Sequence, residues 1–358
     1  MARLGGDEFV VMLEELSKDS LAAAQTEAVG EKILAAISQP YQLGAHEWRV
    51  TASIGAVLFD GRQSEIDELF KQADIAMYEA KKAGRHILRF FDRQMQDAVT
   101  ARAALEDELG KGLARQQFRL YYQIQVDGAR RPLGAEALIR WIHPERGLVP
   151  PAEFIPLAEE TGLILPIGQW VLETACAQLK AWRGKPFTRG LMLSVNISAR
   201  QFHQADFVSQ VRVAVQRHAI DPDLLKLELT ESLLLEDIDD TVATMNALKE
   251  VGVQVSLDDF GTGYSSLQYL KRLPLNQLKI DQSFVRDLAS DSSDKVIVRT
   301  IIAMARSLNL DVIAEGVETE EQRQILLDKG CRQYQGYLFG KPMPIEQLDV
   351  LLEGRDCF

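Results

Sequence analysis

The sequence has little cysteine, no basic surplus and no long apolar run, and each shortage closes off a class of function. Cys176, Cys331 and Cys357 are the 3 cysteines among 358 residues, with no CxxC pair and no histidine at metal-ligand spacing. Neither a disulfide framework nor a zinc site is expected, and a reducing cytoplasm suits the thiols. Lys and Arg number 40 against 52 Asp and Glu, a formal charge of -12, so duplex nucleic acid would be repelled and would find no basic footprint. No apolar run reaches the roughly 18 to 20 residues that span a bilayer, and no basic-then-apolar leader precedes Arg3. The chain is read as cytoplasmic and free of membrane contact, with an upstream membrane or sensor segment left open. Fixed-period repeats and low-complexity tracts are also absent.

What is present is enough for two units: 358 residues with 46% hydrophobic content exceed one ordinary core and suit a barrel-sized domain plus a smaller piece. The character changes near position 92. Before it, the pattern predicts a strand at Phe9 to Leu13, a helix at Leu21 to Ile37, strands at Tyr41 to Leu43 and Trp48 to Phe59, and a helix at Ile66 to Lys82 stopped by Gly84. Residues 92–113 carry Met95, Val99, Leu105, Leu109 and Leu113 on one helical face and read as a linking helix. From Gln117, short apolar runs alternate with amphipathic stretches: strands at Leu191 to Val195, Leu225 to Leu229, Val253 to Leu257, Gln277 to Ile280 and Asp311 to Ala314. Helices are expected between them at Pro166 to Trp182, Phe207 to His218, Thr241 to Val251 and Asp294 to Leu308. Such alternation implies a mostly parallel sheet, and roughly 250 residues is the usual length of a barrel of eight βα units.

Metal-binding residue types recur at the ends of these strands. Glu136, Asn196, Glu228, Asp258 with Asp259, and Glu315 are separated by 60, 32, 30 and 57 residues, one or two βα units each. Equivalent positions in a parallel barrel converge on its C-terminal face. Carboxylates gathered there repel one another unless cations neutralise them, and an all-oxygen set suits magnesium or manganese better than zinc. The adjacent Asp258 and Asp259 would let one carboxylate bridge two ions about 3.5 to 4 Å apart, the spacing that serves in-line phosphodiester displacement. Lys279, on the next strand, could steady the attacking hydroxide or the developing charge. Each residue also has a plainer reading. Asp258-Asp259 could cap a helix, Asn196 could cap the following segment, Glu228 could face solvent on an exposed strand, and Lys279 and Glu315 could be surface charges. Gly261-Thr262-Gly263 lacks the third glycine of a nucleotide loop and reads as a tight turn positioning the aspartates.

These residues together resemble the EAL family of cyclic di-GMP phosphodiesterases over residues 105–358. The matching motifs are Glu136-Ala137-Leu138-Ile139-Arg140, Asn196-Ile197-Ser198, Glu228-Leu229-Thr230-Glu231, Asp258-Asp259-Phe260-Gly261-Thr262-Gly263, Leu278-Lys279-Ile280-Asp281, Ala314-Glu315-Gly316-Val317-Glu318 and Gln335-Gly336-Tyr337. The resemblance implies a TIM-like (β/α)8 barrel that hydrolyses cyclic di-GMP to linear pGpG with two Mg2+ or Mn2+ ions. It assigns Glu136, Asn196, Glu228 and Asp258 to one metal, and Asp258 with Asp259 to the second. Lys279 and Glu315 then orient or activate water, and Glu231 holds the loop after the paired aspartates. On the substrate side stand Arg140, Gln123 and Gln335, with Arg140 meeting a phosphate and Gln335 near the metals' water shell. Gln123-Ile124-Gln125 replaces the family's frequent Gln-Pro-Gln, which costs a proline and no ligand. A homodimer through the barrel domains is the oligomer the resemblance allows.

Arg3-Leu4-Gly5-Gly6-Asp7-Glu8-Phe9, with Asp74-Ile75-Ala76-Met77-Tyr78 and Ala80-Lys81-Lys82-Ala83-Gly84-Arg85, resembles the second half of a GGDEF diguanylate cyclase domain. In that family Asp7 or Glu8 helps bind metal, and Lys81 and Arg85 correspond to phosphate contacts. Without the resemblance, Gly5-Gly6 is a hairpin turn. The family's remaining nucleotide-site residues lie upstream of this motif, so the expectation is an incomplete α+β GGDEF unit over 1–91, a linker over 92–113 and the phosphodiesterase barrel over 114–358. Three other functions compete: a catalytically silent cyclic di-GMP receptor, whose metal or loop residues would be substituted; a diguanylate cyclase, which needs a complete domain in a facing pair; and a generic barrel metallohydrolase acting on another phosphodiester.

Overall fold

The computed structural model describes residues 1–14, 16, 20–44, 46–59, 65–231, 233, 238–261, 270–289 and 292–354. Thr262, Gly263, the rest of the loop to Ser266 and Cys357 lie outside the described residues. The chain divides into two compact units, Met1–Asp107 and Glu108–Phe358. Among the described residues, no helix is long and apolar enough to cross a membrane.

In the first unit β1 (Ala2–Gly5) and β2 (Glu8–Val10) form an antiparallel hairpin, and β3 (Tyr41–Leu43) pairs antiparallel with β4 (His46–Trp48). A parallel pair follows, β5 (Ile54–Ala56) with β6 (Leu88–Phe90). The helix Ile66–Lys82 crosses between them and buries Ile75, Ala76 and Ala80. It lies directly on β5 at Gly55, where an added Cβ would sit 2.0 Å from the Ala73 carbonyl oxygen. The single strand expected over Trp48 to Phe59 is therefore two short strands in different pairs. β6 went unpredicted because three residues are too few to show a period. A helix covers Arg93–Gly112.

The second unit is a closed eight-stranded barrel. Its strands are β7 (Phe118–Asp127), β8 (Pro132–His143), β10 (Met192–Ile197), β11 (Leu225–Thr230), β12 (Gln254–Phe260), β13 (Gln277–Ile280), β14 (Asp311–Ala314) and β15 (Gln333–Gln335), and the pairing of β10 with β8 closes the ring. A short β9 (Gly147–Val149) extends the sheet beside β8. Seven barrel strands run parallel, but β7 is antiparallel to both neighbours, β8 and β15. The reason is local: only residues 128–131 separate β7 from β8, enough for a hairpin and far too few for a crossover. The helices Ile164–Arg183, Phe207–His218, Ile238–Val251 and Ser292–Ser307 return the chain between successive parallel strands.

Helices cover the outside of the strands while side chains fill the inside, so both faces are buried. In β11, Leu225, Leu227 and Leu229 are 0% exposed, as is usual for a parallel strand. Glu228, between two of these leucines, is only 1% exposed. Solvent exposure is thus excluded for it, and its carboxylate belongs to the barrel interior. Cys176 and Cys331 are buried free thiols that burial pushes up to about 12, which keeps both protonated and unreactive.

Candidate active site

Side chains two residues apart on a strand share a face. The interior-facing sets of successive barrel strands therefore stack in layers, and the layer nearest the strands' C-terminal ends is acidic. Glu136 from β8, Glu228 from β11, Asp258 from β12 and Glu315 just past β14 converge on one cation, Lys279 from β13. Its Nζ lies 2.5 Å from Glu228 Oε2, 2.6 Å from Glu315 Oε1, 3.1 Å from Asp258 Oδ2 and 3.9 Å from Glu136 Oε2. Lys279 is 1% exposed. Neither Lys279 nor Glu315 is a surface charge.

Amides brace this cluster. Asn196 Nδ2 donates to Glu136 Oε1 at 2.6 Å, and Gln335 Nε2 donates to Glu136 Oε2 at 2.5 Å. With its amino group committed, Asn196 keeps a carbonyl oxygen as its open acceptor. Gln335 is itself held: its Nε2 also donates to Gln123 Oε1 at 3.1 Å, and its Oε1 accepts from Gln125 Nε2 at 2.8 Å. Gln123 Nε2 reaches the Gly340 carbonyl at 3.0 Å. Gln123 and Gln335, expected on the substrate side, are thus turned inward and fix the orientation of Glu136. The loops carrying Glu315 and Gln335 are tied by Val317 N donating to Gln335 O at 3.0 Å. That approach requires glycine at 336, because a Cβ there would stand 2.2 Å from the Val317 oxygen.

Asp258 and Asp259 occupy an irregularity that only the structure reveals. In a regular strand adjacent side chains point to opposite faces. Here Leu257 pairs with Leu278 and Phe260 with Ile280, so β12 spends three residues where β13 spends two. This bulge places Asp259 in the left-handed region, at φ +54, and re-aims its carboxylate toward the one before it. The Asp259 N–H donates to Asp258 Oδ1 at 2.9 Å. Behind the bulge, Glu231 Oε2 accepts from Gly261 N at 3.0 Å, and Glu231 is 4% exposed. Asp281, which begins the helix Gln282–Arg286 as its cap, acts on Asp259 as a second acid neighbour.

Arg140 lies on the same face of β8 as Glu136, four residues further along the strand, and is half-buried with its guanidinium 5.6 Å over the Tyr121 ring. Tyr337, 55% exposed, carries Lys341 Nζ 5.2 Å over its own ring.

The electrostatics follow from burial. Desolvation, opposed by Lys279 and reinforced by Glu136 and Asp258, raises Glu228 from 4.5 to about 8. Desolvation and then Asp258 raise Asp259 to about 6. Glu315 is pushed well above the carboxylate range, again chiefly by burial. Burial alone would lower Lys279, but Glu136, Glu228, Glu315 and Asp258 outweigh it and hold the ammonium well above its usual value. Four carboxylates closed on one ammonium are under-neutralised, and Glu228 Oε1 is buried without a hydrogen-bond partner among the described residues.

That excess suits a divalent cation. As they stand, the oxygens are drawn onto Lys279, and no metal-spaced cluster of His, Cys, Asp and Glu is present among the described residues. The donor set nevertheless fits: carboxylate and amide oxygens only, a deficit of positive charge, and an orphaned carboxylate oxygen. Sequence reasoning gave no role to Gln125 or Asp281. The alternation of Gln123 and Gln125 on β7, and the place of Asp281 directly after Lys279-Ile280, were the available signals.

Comparison with known proteins gives a consistent picture. Residues 105–342 match the EAL domain family, and residues 1–86 match the family described as diguanylate cyclase, GGDEF domain. The bifunctional diguanylate cyclase/cyclic di-GMP phosphodiesterase MucR of Pseudomonas aeruginosa is 46% identical over 349 residues, 97% of this chain and 50% of that protein. The cyclic di-GMP phosphodiesterase PdeR of Escherichia coli is 39% identical over 344 residues, covering 96% of this chain and 51% of PdeR. The chain spans about half the length of these relatives. Among solved structures, the PaMucR phosphodiesterase in complex with c-di-GMP is 48% identical with a TM-score of 0.67, over 68% of this chain and 99% of that one.

Proposed function

Since the chain belongs to the EAL domain family over residues 105–342, we propose that it hydrolyses cyclic di-GMP to linear pGpG at the acidic cluster around Lys279. The observation that carries this reading is the convergence of Glu136, Glu228, Asp258 and Glu315 on Lys279, with Asn196 and Gln335 bracing Glu136. An intact acidic cluster favours turnover over a silent receptor.

Glu136, Asn196, Glu228 and Asp258 would hold one Mg2+ or Mn2+, and Asp258 with Asp259 a second. Bound there, such ions lower the pKa of water and stabilise the charge that develops on the attacking and leaving oxygens. The protein's own groups do the rest. The bulge at Asp258-Asp259 presents both carboxylates from one strand, and Glu231 fixes that bulge through Gly261. Gln125 and Gln123 hold Gln335, which holds Glu136. Glu315, made more basic by burial and kept 2.6 Å from the Lys279 ammonium, is placed to take a proton from water as its carboxylate. The Lys279 ammonium supplies positive charge for the transition state. Arg140, on the same face as Glu136 and above it, binds a substrate phosphate. Tyr337 offers an exposed ring on which a purine can stack. The test is to incubate the purified chain with cyclic di-GMP and Mg2+ and follow the dinucleotide by chromatography. Conversion to pGpG is expected, whereas an undiminished substrate peak with bound dinucleotide would replace the enzyme with a receptor.

A further inference from the structure

One layer below the acidic cluster the barrel interior holds a second set of polar side chains. Ser194, Lys226, Ser256, Gln277 and Gln333 each precede a residue of the upper layer by two positions and so share its face. Lys226 is 2% exposed. Its ammonium donates to Gln277 Oε1 at 2.9 Å, and Gln277 Nε2 donates in turn to Gln333 Oε1 at 2.6 Å. Among the described residues, that bond to a neutral amide is its only hydrogen bond, and it forms no ion pair there. Ser194, in register with Lys226, and Ser256, in register with Gln277, are 0% exposed, and their hydroxyls have no hydrogen-bond partner among the described residues.

A buried, locally unpaired ammonium is expensive unless a field compensates it. Burial lowers Lys226 to about 8, against the pull first of Glu228, two residues along the same strand, and then of Asp311 and Asp223, with Lys279 opposing them. Glu136, Glu228, Asp258, Asp259 and Glu315 are five carboxylates facing two ammonium groups, Lys279 and Lys226. Two divalent cations would turn the remaining three negative charges into one positive charge, which the anionic scissile phosphodiester cancels. Without Lys226 the loaded site would be neutral before the substrate arrives.

We propose that Lys226 is a positioning charge for this site: held within its own layer by Gln277, which Gln333 braces, it weakens divalent-cation binding and biases the loaded site toward the anionic substrate. The proposal rests on the metal-site reading above, so the experiment measures the wild type alongside the variants. Calorimetric titration of the full chain with Mn2+ alone, without substrate, is compared for wild type, Lys226→Met, Lys226→Gln and Lys226→Arg. Met keeps the length of the side chain, Gln keeps a donor for Gln277, and Arg keeps the charge. Charges about 7 Å apart at an effective dielectric of ~20 interact strongly enough that losing this one should tighten Mn2+ binding at least about tenfold in the Met and Gln variants. Arg should stay near wild type. In the same Met and Gln variants KM for cyclic di-GMP should rise by a larger factor than kcat falls. Equal Mn2+ affinity in wild type, Met and Gln variants, whatever happens to melting temperature, would reduce Lys226 to a packing residue and overturn the proposal. A wild type that binds no Mn2+ would overturn the metal-site reading and the proposal with it.

Discussion

Replacing Glu231 by alanine probes the site through a residue that touches neither proposed cation. Its Oε2 accepts the Gly261 N–H at 3.0 Å, two residues beyond Asp259, whose backbone is in the left-handed region. Glu231 is 4% exposed, so the hydrogen bond is little screened. Hydrogen bonds to charged groups contribute about 1.5 to 3 kcal/mol. At about 1.4 kcal/mol per factor of ten, losing this one lowers the population of the bulge that presents both aspartates by ~10- to 100-fold. Residues that support ligands from outside typically cost the same 10- to 100-fold when removed. The magnesium concentration for half-maximal hydrolysis is therefore expected to rise ~10- to 100-fold in Glu231→Ala, with cyclic di-GMP still binding through Arg140. Glu231→Gln, whose amide oxygen can still accept, should fall between. A magnesium titration of activity with parallel calorimetry reads both. An unchanged half-maximal concentration with a lowered melting temperature would exclude this support of the bulge and leave Glu231 a favourable acid in a first helical turn.

Glu136→Ala should abolish hydrolysis while circular dichroism stays like wild type, because it strips a ligand and leaves Asn196 and Gln335 without their shared acceptor. Lys279→Ala should destabilise the cation-free protein by about 3 to 5 kcal/mol, the usual cost of leaving buried charges unpaired, and Mg2+ should restore part of the lost melting temperature. Cation-free stability should also depend on pH. A carboxyl raised on folding stabilises below its unfolded pKa and loses that contribution as pH climbs through its folded value, a window of 4.5 to about 8 for Glu228. Melting temperature should accordingly fall between pH 5 and 8 without Mg2+, and fall less with it. Amide exchange should be faster in Met1–Asp107 than in the barrel, because its strand pairs are three or four residues long.

The barrel was legible because βα alternation and strand-end carboxylates are periodic signals that survive in one dimension. Strands β13 and β14 and the helix Phe207–His218 lie where the pattern placed them. The antiparallel β7 was not legible from apolar content, although the four residues between it and β8 imply a hairpin. Nor was the bulge at Asp258-Asp259, since pairing Leu257 with Leu278 and Phe260 with Ile280 is a relation between strands. The inward turn of Gln123 and Gln335 depends on partners about 200 residues away, at Glu136 and Gly340, which no local pattern encodes. In the first unit, strands of three residues gave too little alternation to separate β4 from β5.

On the function proposed above, the acidic cluster around Lys279 adds water to a phosphodiester of cyclic di-GMP in the presence of divalent cations. Incubating the purified chain with cyclic di-GMP and Mg2+ in 18O-labelled water, followed by mass spectrometry, follows that oxygen into the product. The expected product is pGpG carrying one 18O on its terminal phosphate, with none formed after chelation and none from Glu136→Ala. Unlabelled pGpG, labelled pGpG from the chelated protein, or unchanged cyclic di-GMP would contradict it.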